Sequence, residues 1–99
     1  MANVTIKLDK ERRLLKTFRG MKLFEQKSGK SLLRGMDLEK LTMDDMYTLL
    51  WSLLIDEDRN LEIEKIEEIT NHVDSGEIIK KIAEALKTAT NEPATNDEG

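Results

Sequence analysis

Val4-Thr5-Ile6-Lys7-Leu8 alternates apolar and polar residues with period two and is rich in β-branched side chains, the pattern of a half-exposed strand. Asp9-Lys10-Glu11 reads as a turn and Arg12 to Thr17 as a returning strand, which predicts a hairpin over about residues 3–17. A lone two-stranded hairpin needs something to pack against. Phe18, Met21 and Phe24 then step by three along one face, predicting a helix over 18–28 with Gly29 at its C-terminal cap. Gly20 lies inside that helix, where glycine costs about 1 kcal/mol relative to alanine. Residues 30–41 are less regular and contain Gly35.

Thr42-Met43-Asp44-Asp45 supplies a hydroxyl cap followed by acids in a first turn, predicting a helix over 43–55. Its apolar residues, Met43, Met46, Tyr47, Leu49, Leu50, Trp51, Leu53 and Leu54, cover an arc of about 240°. An arc that wide belongs to the central helix of a small bundle or to a helix that also meets another chain. The first reading is the stronger, because a short fold needs one dominant buried element. After Asp56-Glu57-Asp58-Arg59-Asn60, the residues Ile63, Ile66, Ile69 and Val73 give a narrow stripe on a third helix, 62–73. Asp74-Ser75-Gly76 reads as a stop and restart with Ser75 as cap, and Ile78, Ile79, Ile82, Ala83, Leu86 and Ala89 form the stripe of a last helix, 76–89. Thr90–Gly99 holds no large apolar residue and is expected to be a disordered tail. The expected fold is mainly α with a short N-terminal β-hairpin, a small α+β domain over 1–89.

Composition narrows the function classes. The 99 residues are 38% apolar and 36% charged, enough for a modest core. Zero cysteines exclude a disulfide framework, a thiolate zinc site and a cysteine nucleophile, and a single histidine excludes sites built on two imidazoles. No run approaches the roughly 20 apolar residues of a membrane span, and Met1 to Lys10 does not read as a secretory leader, so a cytoplasmic setting is expected. The net charge of −4 conceals a split: residues 1–36 carry ten Lys/Arg against three Asp/Glu, while residues 37–99 carry six against seventeen. A basic front and an acidic back suggest a charged partner or head-to-tail self-association.

Asp56 to Glu67 has the oxygen spacing of a calcium loop, with Asp56, Asp58, Asn60, Glu62 and Glu67 as the candidate ligands. Leu61, however, stands where an EF-hand turns on glycine, and no second loop is present to pair with it. The competing reading is an acidic helix connection. The basic front offers phosphate contacts through Lys7, Lys10, Arg12, Arg13, Lys16, Arg19, Lys22, Lys27, Lys30 and Arg34, but it has few aromatics and no recognition motif. His72 has no nucleophile at a suggestive spacing, and the chain has no glycine-rich phosphate loop, so no catalysis and no cofactor are expected. Protein binding remains, with Met43, Met46, Tyr47, Leu50, Trp51, Leu54, Ile79 and Leu86 as the candidate contact residues.

The order of these blocks resembles the tail assembly chaperones of long-tailed bacteriophages and prophages. The matching segments are Val4 to Arg12 with Leu15-Lys16, then Met21 to Lys30, where Phe24-Glu25 precedes Ser28-Gly29-Lys30. Leu49 to Leu54, Asp56-Glu57-Asp58, and Leu61 to Glu64 with Ile66 and Ile69 follow. One departure is Glu62, where relatives often carry threonine or serine as a helix cap. The resemblance, over roughly residues 4–89, implies a small helical protein with an N-terminal hairpin. Such a protein binds the aggregation-prone tape measure protein, helps recruit tail tube subunits, and is absent from the finished particle. Many relatives are also made in a longer, frameshifted form.

Overall fold

A computed structural model describes residues 4–31 and 38–87. Strands β1 (Val4–Lys7) and β2 (Glu11–Leu14) pair antiparallel with Ile6 opposite Arg12 and Val4 opposite Leu14. The period-two alternation buries Val4, Ile6, Leu8 and Leu14 on one face together with the Arg12 side chain. Just past β2 the backbone N–H of Leu15 donates to the carbonyl of Leu53 at 2.8 Å, tying the hairpin to the end of the most apolar helix. The expected packing partner of the hairpin is therefore found.

Helix α1 (Phe18–Ser28) occupies the span its periodicity gives. Thr17 caps it by accepting the Gly20 N–H at 2.9 Å. Gly29 ends it at φ 76°, where its N–H reaches the Glu25 carbonyl at 2.8 Å. Only glycine takes this left-handed conformation without strain. After a short 3₁₀ turn at Leu38–Lys40 comes α2 (Met43–Leu54), capped by the Thr42 hydroxyl on the Asp45 N–H at 3.1 Å. Gly20 lies against the Ser52 carbonyl and Lys30 reaches Asp45 at 3.4 Å, so α1 runs antiparallel to α2.

Helix α2 is the central element. Every residue from Leu49 to Ile55 is buried, the condition expected of a helix enclosed on all sides. The one polar member, Ser52, returns its hydroxyl to the Leu49 carbonyl at 2.7 Å. Around α2 pack α1, β2, α3 (Lys65–Ile69) and α4 (Ser75–Lys87), and α4 also covers β1. The small α+β class is as read from the pattern.

Helix α2, expected over 43–55, ends at Leu54 with Ile55 as its cap, and two further helices differ more in their bounds. The third, expected over 62–73, is α-helical only from Lys65 to Ile69. Its start lacks a side-chain cap. Its end is turned by the Thr70 hydroxyl, which bonds back to the Ile66 carbonyl at 2.7 Å. The last helix begins at Ser75, and the cap is Asp74 rather than Ser75, because the Asp74 carboxylate accepts the Glu77 N–H at 3.2 Å. Residues 88–89 and the tail 90–99 lie outside the described residues.

Candidate functional site

The candidate contact residues divide between core and surface. Met46, Leu50, Trp51 and Leu54 are 2%, 0%, 7% and 1% exposed, so the core claims them and they present no docking face. The physical reason is the enclosure of α2 by α1, the hairpin, α3 and α4. Trp51 is fully engaged: its indole N–H donates to the Leu61 carbonyl at 2.9 Å, and the Lys27 ammonium lies 5.4 Å from its ring centre. Met43 and Tyr47 differ, being exposed and half-buried. Ile79 and Leu86 are half-buried on α4.

The acidic connection after α2 is where the two charged halves of the chain meet. Asp58 pairs with Arg12 at 3.2 Å, and Arg12 also grips Asp9 through Nε and Nη2 at 2.8 and 2.9 Å. Glu57 accepts both the backbone N–H of Arg13 at 2.9 Å and its Nε at 2.7 Å. Asp56 accepts the Thr17 hydroxyl and lies 3.4 Å from Arg19 and 3.8 Å from Arg59. These carboxylates point at the hairpin and at the start of α1 instead of converging on a cation. Asn60 and Glu62 are exposed, Glu67 lies on α3, and Leu61 is a core residue. Among the described residues no group of three His, Cys, Asp or Glu side chains is placed to hold a metal. The connection is a latch that fastens the front of the chain to the back. It also occupies Arg12, Arg13 and Arg19, three of the cations a phosphate-binding face would use.

The latch carries a pH signature. The Arg12 side-chain hydrogen bonds hold the Asp9 carboxyl below its ordinary value, and the Arg13 backbone and side-chain donors do the same for Glu57. A depressed carboxyl stabilises the fold fully above its unfolded value and loses that contribution as pH falls through the folded one. Stability is therefore expected to be level down to the ordinary values of 4.5 for Glu57 and 3.8 for Asp9, and to fall below them. Urea midpoints measured from pH 7 to pH 3 check this, and Arg13→Ala should reduce the Glu57 part of the decline without abolishing it, because the backbone N–H of residue 13 still donates to Glu57.

A second feature is a groove of about 360 Å³ between α2 and the α3 region, lined by Asp44, Tyr47, Thr48, Ile63, Glu64 and Glu67. Tyr47 and Ile63 supply its half-buried apolar floor, and Asp44, Glu64 and Glu67 are exposed around it. Met43, 55% exposed, stands one turn before Tyr47 on the same helix. Sequence reasoning singled out Met43 and Tyr47 but read Ile63 only as core stripe. His72 is exposed, and its Nε2 is 3.1 Å from the Leu8 carbonyl, which gives it a structural contact. No helix among the described residues is long and apolar enough to cross a membrane.

Comparison with protein-family models, curated proteins and solved structures gives no match.

Proposed function

We propose that this chain is a non-enzymatic assembly chaperone of the long-tailed phage type, working in the bacterial cytoplasm. It holds the tape measure protein and assists the assembly of tail tube subunits around it. The ordered blocks described above support the class, and the fold they imply, a hairpin leading into helices, is the fold found.

The observation that carries the reading is the outer stripe of α4. Ile79, Ala83 and Leu86 follow one another at helical spacing and are all half-buried, while Ile78, Ile82 and Ala85 on the other side are sealed in the core. The exposed Lys80, Glu84 and Lys87 accompany the stripe along the helix. Such a face suits an amphipathic helical stretch of a client, covering its apolar side without ATP and leaving charge outward. The calcium and nucleic-acid alternatives have less support, since Asp56 and Asp58 of the one and Arg12, Arg13 and Arg19 of the other are engaged within the latch.

Co-expression of a tape measure fragment with the wild-type chain should raise the soluble fraction of the fragment several-fold. Ile79→Glu and Leu86→Glu together should abolish that gain, and Ala83→Glu, a gentler change, should weaken it while the variant retains a cooperative thermal transition. Failure of the wild type to solubilise any of several fragments would contradict the reading.

A further inference from the structure

The groove between α2 and the α3 region plays no part in the α4 face, and both of its walls carry negative charge. Asp44 stands on the α2 wall. Glu64 and Glu67, three positions apart at the start of α3, stand side by side on the other. All three are exposed, and none forms an ion pair among the described residues. Two neighbouring cations go to other acids: Lys65 reaches Glu68 at 3.8 Å, and Lys30 reaches Asp45 at 3.4 Å. Between the walls the floor is apolar. Tyr47 and Ile63 are half-buried there, and Met43, 55% exposed, extends the same face of α2 by one turn. Thr48, the remaining lining residue, donates its hydroxyl to the Asp44 carbonyl at 2.8 Å.

We propose that this groove docks a short basic segment of a partner protein, in which a large apolar side chain lies between Lys or Arg residues. Its volume of about 360 Å³ is near the lower end of ligand sites, about 300–1,000 Å³, and suits a few side chains instead of a folded surface. The apolar side chain covers Tyr47, Ile63 and Met43, whose flexible thioether adapts to its shape. The flanking cations meet Asp44 on one wall and Glu64 and Glu67 on the other. Charge complementarity selects this occupant. An acidic segment would bring like charges against both walls, and a neutral one would cover carboxylates with nothing to pair them. A metal ion would leave the apolar floor uncovered, and among the described residues no three carboxylate or imidazole side chains are placed to hold one. Exposed ion pairs contribute little each, so the apolar contact supplies most of the affinity and the charges set orientation and association rate. The α4 stripe is different in kind, since both signs of charge accompany it in Lys80, Glu84 and Lys87. The inference is independent of the chaperone reading.

Fluorescence anisotropy on the full chain tests it, with the labelled peptide acetyl-Lys-Leu-Ala-Lys-Lys-Leu-Ala-Lys-amide as probe. The wild type is expected to saturate below about 1 mM peptide. Peptides with serine in place of leucine, or glutamate in place of lysine, should each lose saturable binding. The double variant Glu64→Gln, Glu67→Gln, changed only at exposed positions, should bind the probe about five- to tenfold more weakly. It should also lose most of the weakening that the wild type shows between about 0.01 M and about 0.15 M salt, where the screening length falls from about 30 Å to about 8 Å. Ile79→Gln with Leu86→Gln on α4 should bind as the wild type does. Amide resonances read the site without any substitution, with shifts expected at Tyr47, Thr48 and Ile63. A wild type that does not saturate overturns the proposal, as does a serine peptide that binds equally well. So does a Glu64, Glu67 variant with wild-type affinity and salt dependence. Resonance shifts along α4 alone, or loss of the probe by the α4 variant, would assign the peptide to the α4 face and overturn the groove while leaving the chaperone reading intact. Self-association of the wild type that the groove variant abolishes would assign the groove to a second copy and overturn it too.

Discussion

Replacing Arg12 by alanine is expected to destabilise the fold by about 2–3 kcal/mol, far more than a surface arginine would. Arg12 occupies a core-facing position of β2 opposite Ile6, and its side chain is only 6% exposed. The guanidinium binds Asp9 in bidentate fashion and Asp58 through its remaining arm, so one side chain closes the hairpin turn and clamps the hairpin to the acidic connection. Breaking a fully buried pair costs about 3–5 kcal/mol. Here the carboxylates are 41% and 34% exposed and can rehydrate, which lowers that figure. Loss of the packed aliphatic stem raises it again. Arg12→Met keeps the stem and should lose about half as much. Urea unfolding reads both values. A loss within about 0.5 kcal/mol for alanine would place Arg12 with ordinary surface charges and contradict the latch.

Alanine at Gly20 gives the second large effect, and its sign is the informative part. Helix propensity alone says that Gly20→Ala should stabilise α1 by about 1 kcal/mol. The structure says the reverse. A methyl group at this position would press into the Ser52 carbonyl oxygen and lie 3.1 Å from the Thr17 hydroxyl, which is itself the cap of α1. Backbone cannot yield as a flexible side chain does, so α1 must shift off α2 and loosen the buried Phe24. Overpacking of this kind costs about 1–3 kcal/mol. The expected net result, with the propensity gain of about 1 kcal/mol set against this cost, is a loss of about 1 kcal/mol, or roughly 5 °C in Tm for a chain of this size. An increase in Tm would show that the two helices do not meet at Gly20.

These two residues also mark where the sequence was legible and where it was not. Local signals carried the hairpin, the bounds of α1, the Gly29 cap and the Thr42 start of α2, because each depends on residues within a few positions of one another. Gly20 read as a weak point of a helix, since nothing local announces that another helix crosses there. Arg12 read as part of a basic surface, although the period-two alternation that ends in Leu14 also turns it inward. The latch itself joins residues such as Arg13 and Glu57 that are 44 positions apart, beyond any spacing rule. Asp56 to Glu67 resembled a calcium loop because a cation site and an arginine latch need the same carboxylates, and only the fold shows which way they point. In the candidate groove, Met43 and Tyr47 were readable from α2, while Ile63, Glu64 and Glu67 depend on how the shortened α3 docks. Four of the residues proposed as contacts were core because α1, the hairpin, α3 and α4 cover Met46 and the whole of Leu49–Leu54, leaving α2 open only near Met43 and Tyr47.

Hydrogen exchange of the full chain, alone and bound to a soluble tape measure fragment, tests the proposed function most directly. The chaperone reading expects slowed exchange along α4, Ser75–Lys87, on complex formation, with the hairpin and the 56–58 latch unchanged because their contacts are already made within the chain. A complex that leaves α4 exchanging as in the free chain, or no complex with any fragment, would contradict it.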